Sequence, residues 1–537
     1  MSLDIVKDRW LGFLIWQSIF STFIFFVFKT VLLSPFIDSA FFPSLFGFLS
    51  FLVFHFSLFL FSSALYIVSS PREDRSASVS ELAFGFLRFF LKSVVTGSNA
   101  VSDANFGRRA RKSVALFSFV LICCLSSFVS GVALFGSLDG VDEPKLVGLG
   151  LRGAVFGLVY GIYFLYRKRW IVAFPIIQRP LFFSFKMGLP SSLAHSLRLS
   201  SLSLVLSTVF IAFLPNNLKK HSTLAHSIVQ QIILFLGTSV VSFCWELSCH
   251  LLQVLHTRRS IFAPPQGSAA AETNPSEPLL AALEQSTPRS LYQYLVFLDL
   301  CMVCETNVDT WRRAAFFEET GETYRRITTV CLRPLEQLTS RLSEGLEGIS
   351  GDKSDLLSKQ LHSPTDTCVD PRLHEAFDDF QLYAWCSRTI SALTACSRSE
   401  DRFGVAQLTG SNASVVSTLL SCLIAVEACM GKKTNPPSQH LIGPASIKWA
   451  TVRTGRKDAP PSFMGKKKDR ALYSKAYAMA DVLRTSVYEI VSVFKEEMHG
   501  AKATGLEKDW ISKNEPLYGT REILVQKFSL FLDFNVN

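Results

Sequence analysis

Six long apolar runs in the first half of the sequence constrain its fold more than any other feature. Each run is long enough to cross a hydrocarbon core about 30 Å thick as a helix. Of the 47 phenylalanines, 36 lie in residues 1–262, so we expect a membrane protein whose two halves differ in solvent preference. The runs lie near Trp10–Leu33, Phe41–Val68, Ser113–Leu138, Leu146–Tyr166, Leu197–Leu214 and Ile228–Leu252.

Basic residues predict the orientation of these spans. Eighteen Lys and Arg residues flank the spans on the side of the N-terminus, against four on the opposite side. Because positively charged loops stay in the cytoplasm, both termini are expected on the cytoplasmic side. The first run follows Lys7 and Arg9 and is longer than a signal-peptide core, so we expect a retained anchor.

The second half of the sequence follows the helical period and shows no run of alternating strands. Residues 259–290 are rich in Pro, Ala and Ser and are expected to form a linker. Residues 291–537 contain long helical patterns such as Arg470–Met498. The sequence therefore predicts an all-α fold, with a six-helix transmembrane bundle in residues 1–258 and an all-helical cytosolic or pore-facing domain in residues 291–537.

The connection between the second and third runs contains a candidate membrane-interface helix, Ser80–Val95. A narrow polar strip on a broad apolar body is typical of a helix lying in the membrane interface, and packing against the span bundle is the alternative. The residues that define this pattern are Glu81, Phe84, Leu87, Arg88, Leu91 and Lys92.

A second candidate contact region is the basic segment Lys448–Arg470, which holds eight basic and two acidic residues. We expect a loop that contacts anionic lipid, RNA or an acidic partner, or that is simply solvated, with nucleic acid a disfavoured partner. The candidate contact residues are Arg456, Lys457, Lys466, Lys467 and Lys468.

Two ionisable residues inside the runs raise the alternative of a six-span carrier or channel. His55 lies in the second run and Glu246 in the sixth. Transport of ions or protons usually requires such groups within the membrane despite their cost. The simpler interpretation is that neighbouring helices satisfy His55 and that Glu246 lies near an interface.

No short motif assembles a catalytic, metal or cofactor site, so we expect a protein that is not an enzyme. The Gly431–Thr434 stretch lacks the first glycine of a phosphate-binding loop. Cys301 and Cys304 form a single C-x-x-C pair on a helix, which argues against zinc, and the twelve cysteines are expected to be reduced. The charged stretch "RSEDRFGVAQ" (398–407) predicts a solvated turn, with Gly404 as a helix C-cap.

Several stretches resemble one family. These are "RKRWIVAFPIIQRPLFFSFK" after the fourth run, "LYQYLVFLDLCMVCE" followed by Arg312, Arg313 and Phe316, then "ITTVCLRPLEQL", "SRSEDRFGVAQ" and the closing "EILVQKFSLFLDF". Together with six spans and a helical second half, they resemble the nuclear-division-cycle transmembrane nucleoporin family, the pore-membrane nucleoporins. The linker and the basic segment lie outside this resemblance.

The resemblance implies a membrane-anchoring component of the nuclear pore complex, located in the nuclear envelope. It implies a role in pore assembly and in nucleocytoplasmic transport of protein and mRNA. Its implied partners are nuclear-envelope lipid, inner-ring scaffold nucleoporins and an aladin-type WD-repeat nucleoporin. It implies no catalytic residues and no cofactor.

Overall fold

A computed structural model describes residues 2–32, 45–73, 100–135, 143–212, 224–351, 371–431, 470–502, 510–512 and 514–533. The chain divides into two compact units, Met1–Arg259 and Ser260–Asn537. The described residues are helical, with one isolated bridge between Ser70 and Ile171. The predicted all-α class is therefore confirmed.

In its described residues, the first unit contains six long helices that pack in chain order and close into a ring. Each contacts its successor, and α6 returns to contact α1, α2 and α3. All six contain a stretch that is long and apolar enough to cross a membrane. Their bounds are α1 Ser2–Val27, α2 Leu45–Val68, α3 Ala100–Phe135, α4 Glu143–Tyr166, α5 Leu181–Ala212 and α6 Leu224–His256.

Glycines allow α3 and α4 to pack closely. A Cβ on Gly153 would lie 2.4 Å from the backbone oxygen of Ser127, and one on Gly157 would lie 2.3 Å from that of Cys123. No side chain relieves such an overlap, because both obstacles are main-chain atoms. Small residues at membrane helix interfaces let backbones approach in this way, and van der Waals contacts then hold the helices together.

Serine hydroxyls join α2 to α3 on the neighbouring seam. Ser57 Oγ lies 2.5 Å from Ser130 Oγ. Ser126 Oγ donates to the Ser57 backbone oxygen at 2.6 Å, and Ser50 Oγ donates to that of Ala133 at 2.5 Å. These bonds satisfy polar groups where lipid offers no partner.

One helix of the second unit, α9, is buried on nearly all sides. The helices of this unit are α7 Ala269–Thr273, α8 Glu277–Gln285, α9 Leu291–Glu305, α10 Thr310–Ala314, α11 Glu322–Gly351, α12 Pro371–Ala376, α13 Phe380–Glu400, α14 Val405–Leu408, α15 Ser411–Cys429, α16 Arg470–Val493, α17 Lys495–Lys502 and α18 Arg521–Leu532.

The segment 259–290 differs from the linker expected from its composition. It contains α7 and α8, and from Ser260 onward it belongs to the second unit. The apolar spacing of Leu279, Leu280 and Leu283 buries one face of α8, while Pro278 lies at the start of that helix. The proline- and alanine-rich composition predicted a linker and gave no indication of the short amphipathic helix α8.

Helix α15 is a seventh helix that is long and apolar enough to span a membrane. Within the second unit it contacts α11, α16 and α18, and 72% of the residues in its apolar stretch are buried there. Its apolar surface is therefore covered by protein, as in the core of an ordinary helical domain.

Candidate functional site

A buried ion pair joins Arg312 of α10 to Asp299 of α9, and both side chains also bind the backbone of Phe262 near the start of the second unit. Arg312 Nη2 lies 2.7 Å from Asp299 Oδ2, and their side chains are 1% and 0% exposed. Arg312 Nη2 also donates to the Phe262 backbone oxygen at 2.9 Å, and Phe262 N donates to Asp299 Oδ2 at 2.9 Å. These bonds satisfy charges that would otherwise be costly to bury.

Arg313 makes the neighbouring connection, between α10 and the end of α13. Its Nε donates to both Glu400 carboxylate oxygens, at 2.9 and 3.1 Å. Its Nη1 donates to the Cys304 backbone oxygen at 2.9 Å. Bidentate contact fixes orientation as well as distance. The pKa of Arg313 is raised, chiefly because Glu400 accepts its hydrogen bonds.

The "RSEDRFGVAQ" stretch is a structural turn, but its carboxylates have fixed partners that the solvated interpretation missed. Asp401 accepts hydrogen bonds from Phe403 N at 3.2 Å and from Ala406 N at 2.9 Å. Gly404 has φ of +67° and precedes α14, so it caps the start of that helix and not the end of α13. The left-handed conformation explains the glycine.

Two further acidic residues hold helix ends together in the second unit. Arg388 Nε lies 2.5 Å from Glu305 Oε1, which joins α13 to the end of α9. Glu427 is 6% exposed and accepts from Arg484 and Lys527, each at 2.7 Å. These pairs join α15 to α16 and α18.

Basic side chains cover one end of the first unit, where α2, α4 and α6 terminate. Arg9 Nη1 donates to the Leu255 backbone oxygen at 2.7 Å, and Lys112 Nζ donates to that of Val68 at 3.0 Å. Lys168 Nζ lies 2.6 Å from Glu73 Oε1 in the adjoining loops. Positive groups at helix C-termini satisfy free carbonyls and complement the helix dipole.

Both residues that motivated the carrier alternative have partners within the bundle. His55 lies 3.3 Å from Ser21 Oγ through Nδ1 and 3.2 Å from Thr22 Oγ1 through Nε2. Glu246 is completely buried and forms an ion pair with Arg169, just beyond the end of α4. These contacts give His55 and Glu246 structural roles.

The structure describes some of the remaining sequence-predicted candidates and not others. The interface-helix residues 81–92 and the basic residues 456–468 lie outside the described residues. Cys301 and Cys304 are buried, and burial raises the pKa of both thiols, which keeps them protonated. Among described residues, no cluster of three or more His, Cys, Asp or Glu side chains has metal-binding geometry.

An acidic residue within an apolar stretch of helix is a sequence signal for a buried ion pair. The sequence analysis singled out Glu246 in this way but not Asp299. Glu246 is the single acid of α6, and Asp299 lies in the apolar interior of α9, whose other acid, Glu305, is at the helix end. A carboxylate at such a position requires a buried cation nearby. This reasoning predicts that a partner exists, while the fold is needed to identify Arg312 and Arg169.

The fold and these contacts define a class: a multi-span helical membrane protein with a second compact helical unit held by buried ion pairs. Residues 354–505 match the family described as "Nucleoporin protein Ndc1-Nup". Relatives named "Nucleoporin NDC1" in Homo sapiens and Mus musculus are each 26% identical over 132 residues, which is 25% of this chain and 16% of each relative. The same identity and coverage hold for the relative in Pongo abelii.

The family match and these relatives support the resemblance to the Ndc1 nucleoporin family found in the sequence. That family is a structural class of pore-membrane proteins and not an enzyme class. The matched range contains Glu400 but begins after its partner Arg313. The matching segment spans only 16% of the relatives' own length.

Proposed function

We propose that this protein is a membrane-anchoring component of the nuclear pore complex that recruits soluble scaffold nucleoporins and is needed for pore assembly. The observation that carries the proposal is the union, in one chain, of a six-span helical unit with a compact helical unit that matches a nucleoporin family. The first supplies attachment to the nuclear envelope, and the second supplies surface for partners.

The charge distribution of the first unit supports its role as an anchor with both termini on the cytoplasmic or pore side. Arg9, Lys112 and Lys168 gather at one end of the bundle through the contacts described above. Positive charge at one end favours retention of that end in the cytoplasm. Glu81–Lys92 and Arg456–Lys468 are proposed as additional lipid or partner contacts.

Exposed apolar residues support a recruiting role for the second unit. Val308, Phe403 and Leu408 lie on segments next to the Arg313–Glu400 pair, and Val308 and Leu408 are 82% and 84% exposed. Rigid loops with exposed apolar side chains are suited to protein contacts. The proposed partners are inner-ring scaffold nucleoporins and an aladin-type WD-repeat nucleoporin.

Proximity labelling from a tag fused after Asn537, with imaging of the same cells, tests this function. The expected result is a punctate nuclear rim with labelled inner-ring nucleoporins. The double variant Val308→Ser, Leu408→Ser should keep the rim and lose labelling of the scaffold partners. Arg325→Ser, which breaks an exposed ion pair on α11, is the control. Plasma-membrane labelling without a nuclear rim would refute the proposal.

A further inference from the structure

The connection between α4 and α5 carries a group of exposed apolar side chains at the basic end of the bundle. Ile176 and Ile177 are 85% and 68% exposed. Phe182, Phe183 and Met187, at the start of α5, are also exposed. Monomeric soluble proteins rarely leave so many large apolar side chains together in water, so this patch requires a partner.

The loop that presents the two isoleucines is fixed to the bundle. Its other side is buried through Trp170, Val172 and Phe174. Ser70 N donates to the Trp170 backbone oxygen and Val172 N to that of Ser70, both at 2.9 Å. Gln178 Nε2 donates to the Thr257 backbone oxygen at 3.2 Å. Because the inner residues are packed, the conformation of the loop holds Ile176 and Ile177 on its exposed side.

The backbone of this loop determines its depth. Residues 171–180 contain no helix, and prolines stand at 175 and 180. Irregular backbone exposed to lipid does not occur in the hydrocarbon region, because its polar groups find no partners. Helix α5 has 32 residues, or about 48 Å at 1.5 Å per residue, against a hydrocarbon core of about 30 Å. Its first turns therefore extend into the headgroup layer with the loop.

The charges around the patch point to an anionic surface. Arg167, Arg179 and Lys186 are exposed beside the apolar side chains. The sequence contains no acidic residue between Glu143 and Glu246. Long basic side chains at the headgroup level place their charges among lipid phosphates while their stems cover apolar surface.

We infer that residues 166–187 form an interfacial lipid-binding segment that inserts Ile176 and Ile177 below the headgroups and selects anionic phospholipid. The patch is continuous with the lipid-facing surface of α5, which favours lipid over a soluble protein as its occupant. The inference requires that the first unit spans a membrane and does not depend on attachment to the nuclear pore.

Site-specific photocrosslinking tests the insertion. The full chain, with benzoylphenylalanine in place of Ile177, is reconstituted in vesicles of phosphatidylcholine with phosphatidylserine and irradiated. The expected product is a lipid adduct at residue 177. Benzoylphenylalanine in place of Phe174, which faces inward three residues away, is the matched control and should crosslink to protein. A crosslink from position 177 to a second copy, or to another part of the same chain, would overturn the inference.

Mass spectrometry of the adducts tests the charge selection. Phosphatidylserine should exceed its share of the bilayer among the lipids captured at position 177. Because each basic residue near a membrane surface changes anionic-lipid binding about fivefold, Arg179→Gln with Lys186→Gln should remove that excess and leave the lipid adduct itself. Adducts that follow bulk composition in the unsubstituted chain would contradict anionic selection. The chain with benzoylphenylalanine at position 177 must elute as a single species in size-exclusion chromatography, both with and without the Arg179→Gln and Lys186→Gln substitutions.

Discussion

Arg313 and Glu400 are separated by 87 positions in the sequence, and their contact determines how three segments of the second unit meet. The Arg313 guanidinium side chain is 4% exposed and also binds the Cys304 backbone oxygen. Removal of the guanidinium leaves a carboxylate and a carbonyl without their donor. The structural cost therefore falls on α9, α10 and α13 together.

Arg313→Ala is expected to destabilise the second unit by about 3 kcal/mol, since breaking a buried ion pair leaves an uncompensated charge. Hydrogen exchange measured by mass spectrometry should show faster exchange in peptides from the end of α13 and from α14. Arg325→Ala is the control, because its pair with Glu322 has side chains that are 66% and 51% exposed. That variant should change stability by less than about 1 kcal/mol. Equal effects of the two variants would refute a special role for Arg313.

Glu318 and Glu489 should respond to pH in opposite ways. Burial tends to raise the pKa of Glu318, but hydrogen bonds from Thr323 and Thr320 outweigh it and the pKa is lowered. Its stabilising effect is present above the ordinary pKa and is lost as pH falls through the folded-state value. Burial raises the pKa of Glu489, with Ser391 donating to its carboxylate. Its favourable protonated state is present at low pH and is lost as pH rises through the folded-state value.

At neutral pH, Glu318→Gln should lower the melting temperature, because it weakens a charged acceptor near the start of α11, an interaction of about 1 kcal/mol. Glu489→Gln should raise the melting temperature, since it removes a half-buried charge and keeps an acceptor for Ser391. Thermal unfolding of the purified chain at pH 7 and near pH 4 checks both signs. The difference between each variant and the original chain should shrink at the lower pH; parallel shifts at both pH values would contradict the linkage.

For single residues, the sequence identified the unusual polar groups of the spans, but it did not identify the interaction partners of charged residues. It recognised His55 and Glu246 as the unusual polar groups of the spans, and the structure gives both of them partners. It placed Glu400 and Asp401 in solvent, because four charges in a short stretch usually indicate an exposed turn. The contact with Arg313 was not visible, since ion pairs at such separation depend on tertiary packing.

At the scale of helices, the interface of α3 and α4 depends on the absence of side chains. Gly153 and Gly157 lie on one face of α4, four positions apart, and each approaches a backbone oxygen of α3. In the membrane, helices do not gain stability by removing apolar surface from water. Close backbone packing must therefore supply the attraction.

Gly157→Ala should destabilise the first unit by about 1–3 kcal/mol, as expected for overpacking a tight contact. The new methyl group would overlap the Cys123 carbonyl, which cannot rotate away. Gly148→Ala, in the same helix, is the matched control because no atom lies within 4 Å of its Cβ position. Thermal unfolding in detergent should separate the two variants. A neutral Gly157→Ala would refute the close backbone contact between α3 and α4.

Element type was predictable, whereas element boundaries and some short helices were not. The six apolar runs all correspond to helices of the first unit. The fifth helix begins at Leu181, well before the expected Leu197, because Lys186 and Pro190 interrupt the apolar pattern without ending the helix. Helix α8 was missed, since only one of its faces is apolar and the surrounding composition resembles a linker.

At the scale of the whole molecule, the unequal distribution of basic residues between the two ends of the bundle predicts its orientation in the membrane. The same residues that the positive-inside rule counts also bind helix C-termini at one end of the bundle, as Arg9 and Lys112 do. Moving that end across the membrane would therefore require both transfer of positive charge and loss of these caps.

Glycosylation mapping can test the resulting topology in full. A flexible polar insert with an Asn-X-Ser acceptor, placed between Gly136 and Asp142 in the α3–α4 connection, should acquire a glycan that an endoglycosidase removes. The same insert after Asn537 should remain unmodified, because the C-terminus is expected on the cytoplasmic side. The sequence also contains a native acceptor, Asn412-Ala413-Ser414, but it cannot serve as a reporter because Asn412 lies in α15 and is only 3% exposed. Modification at the C-terminus with none in the loop would invert the topology. It would also place the proposed recruiting surface in the lumen, where soluble scaffold nucleoporins could not reach it.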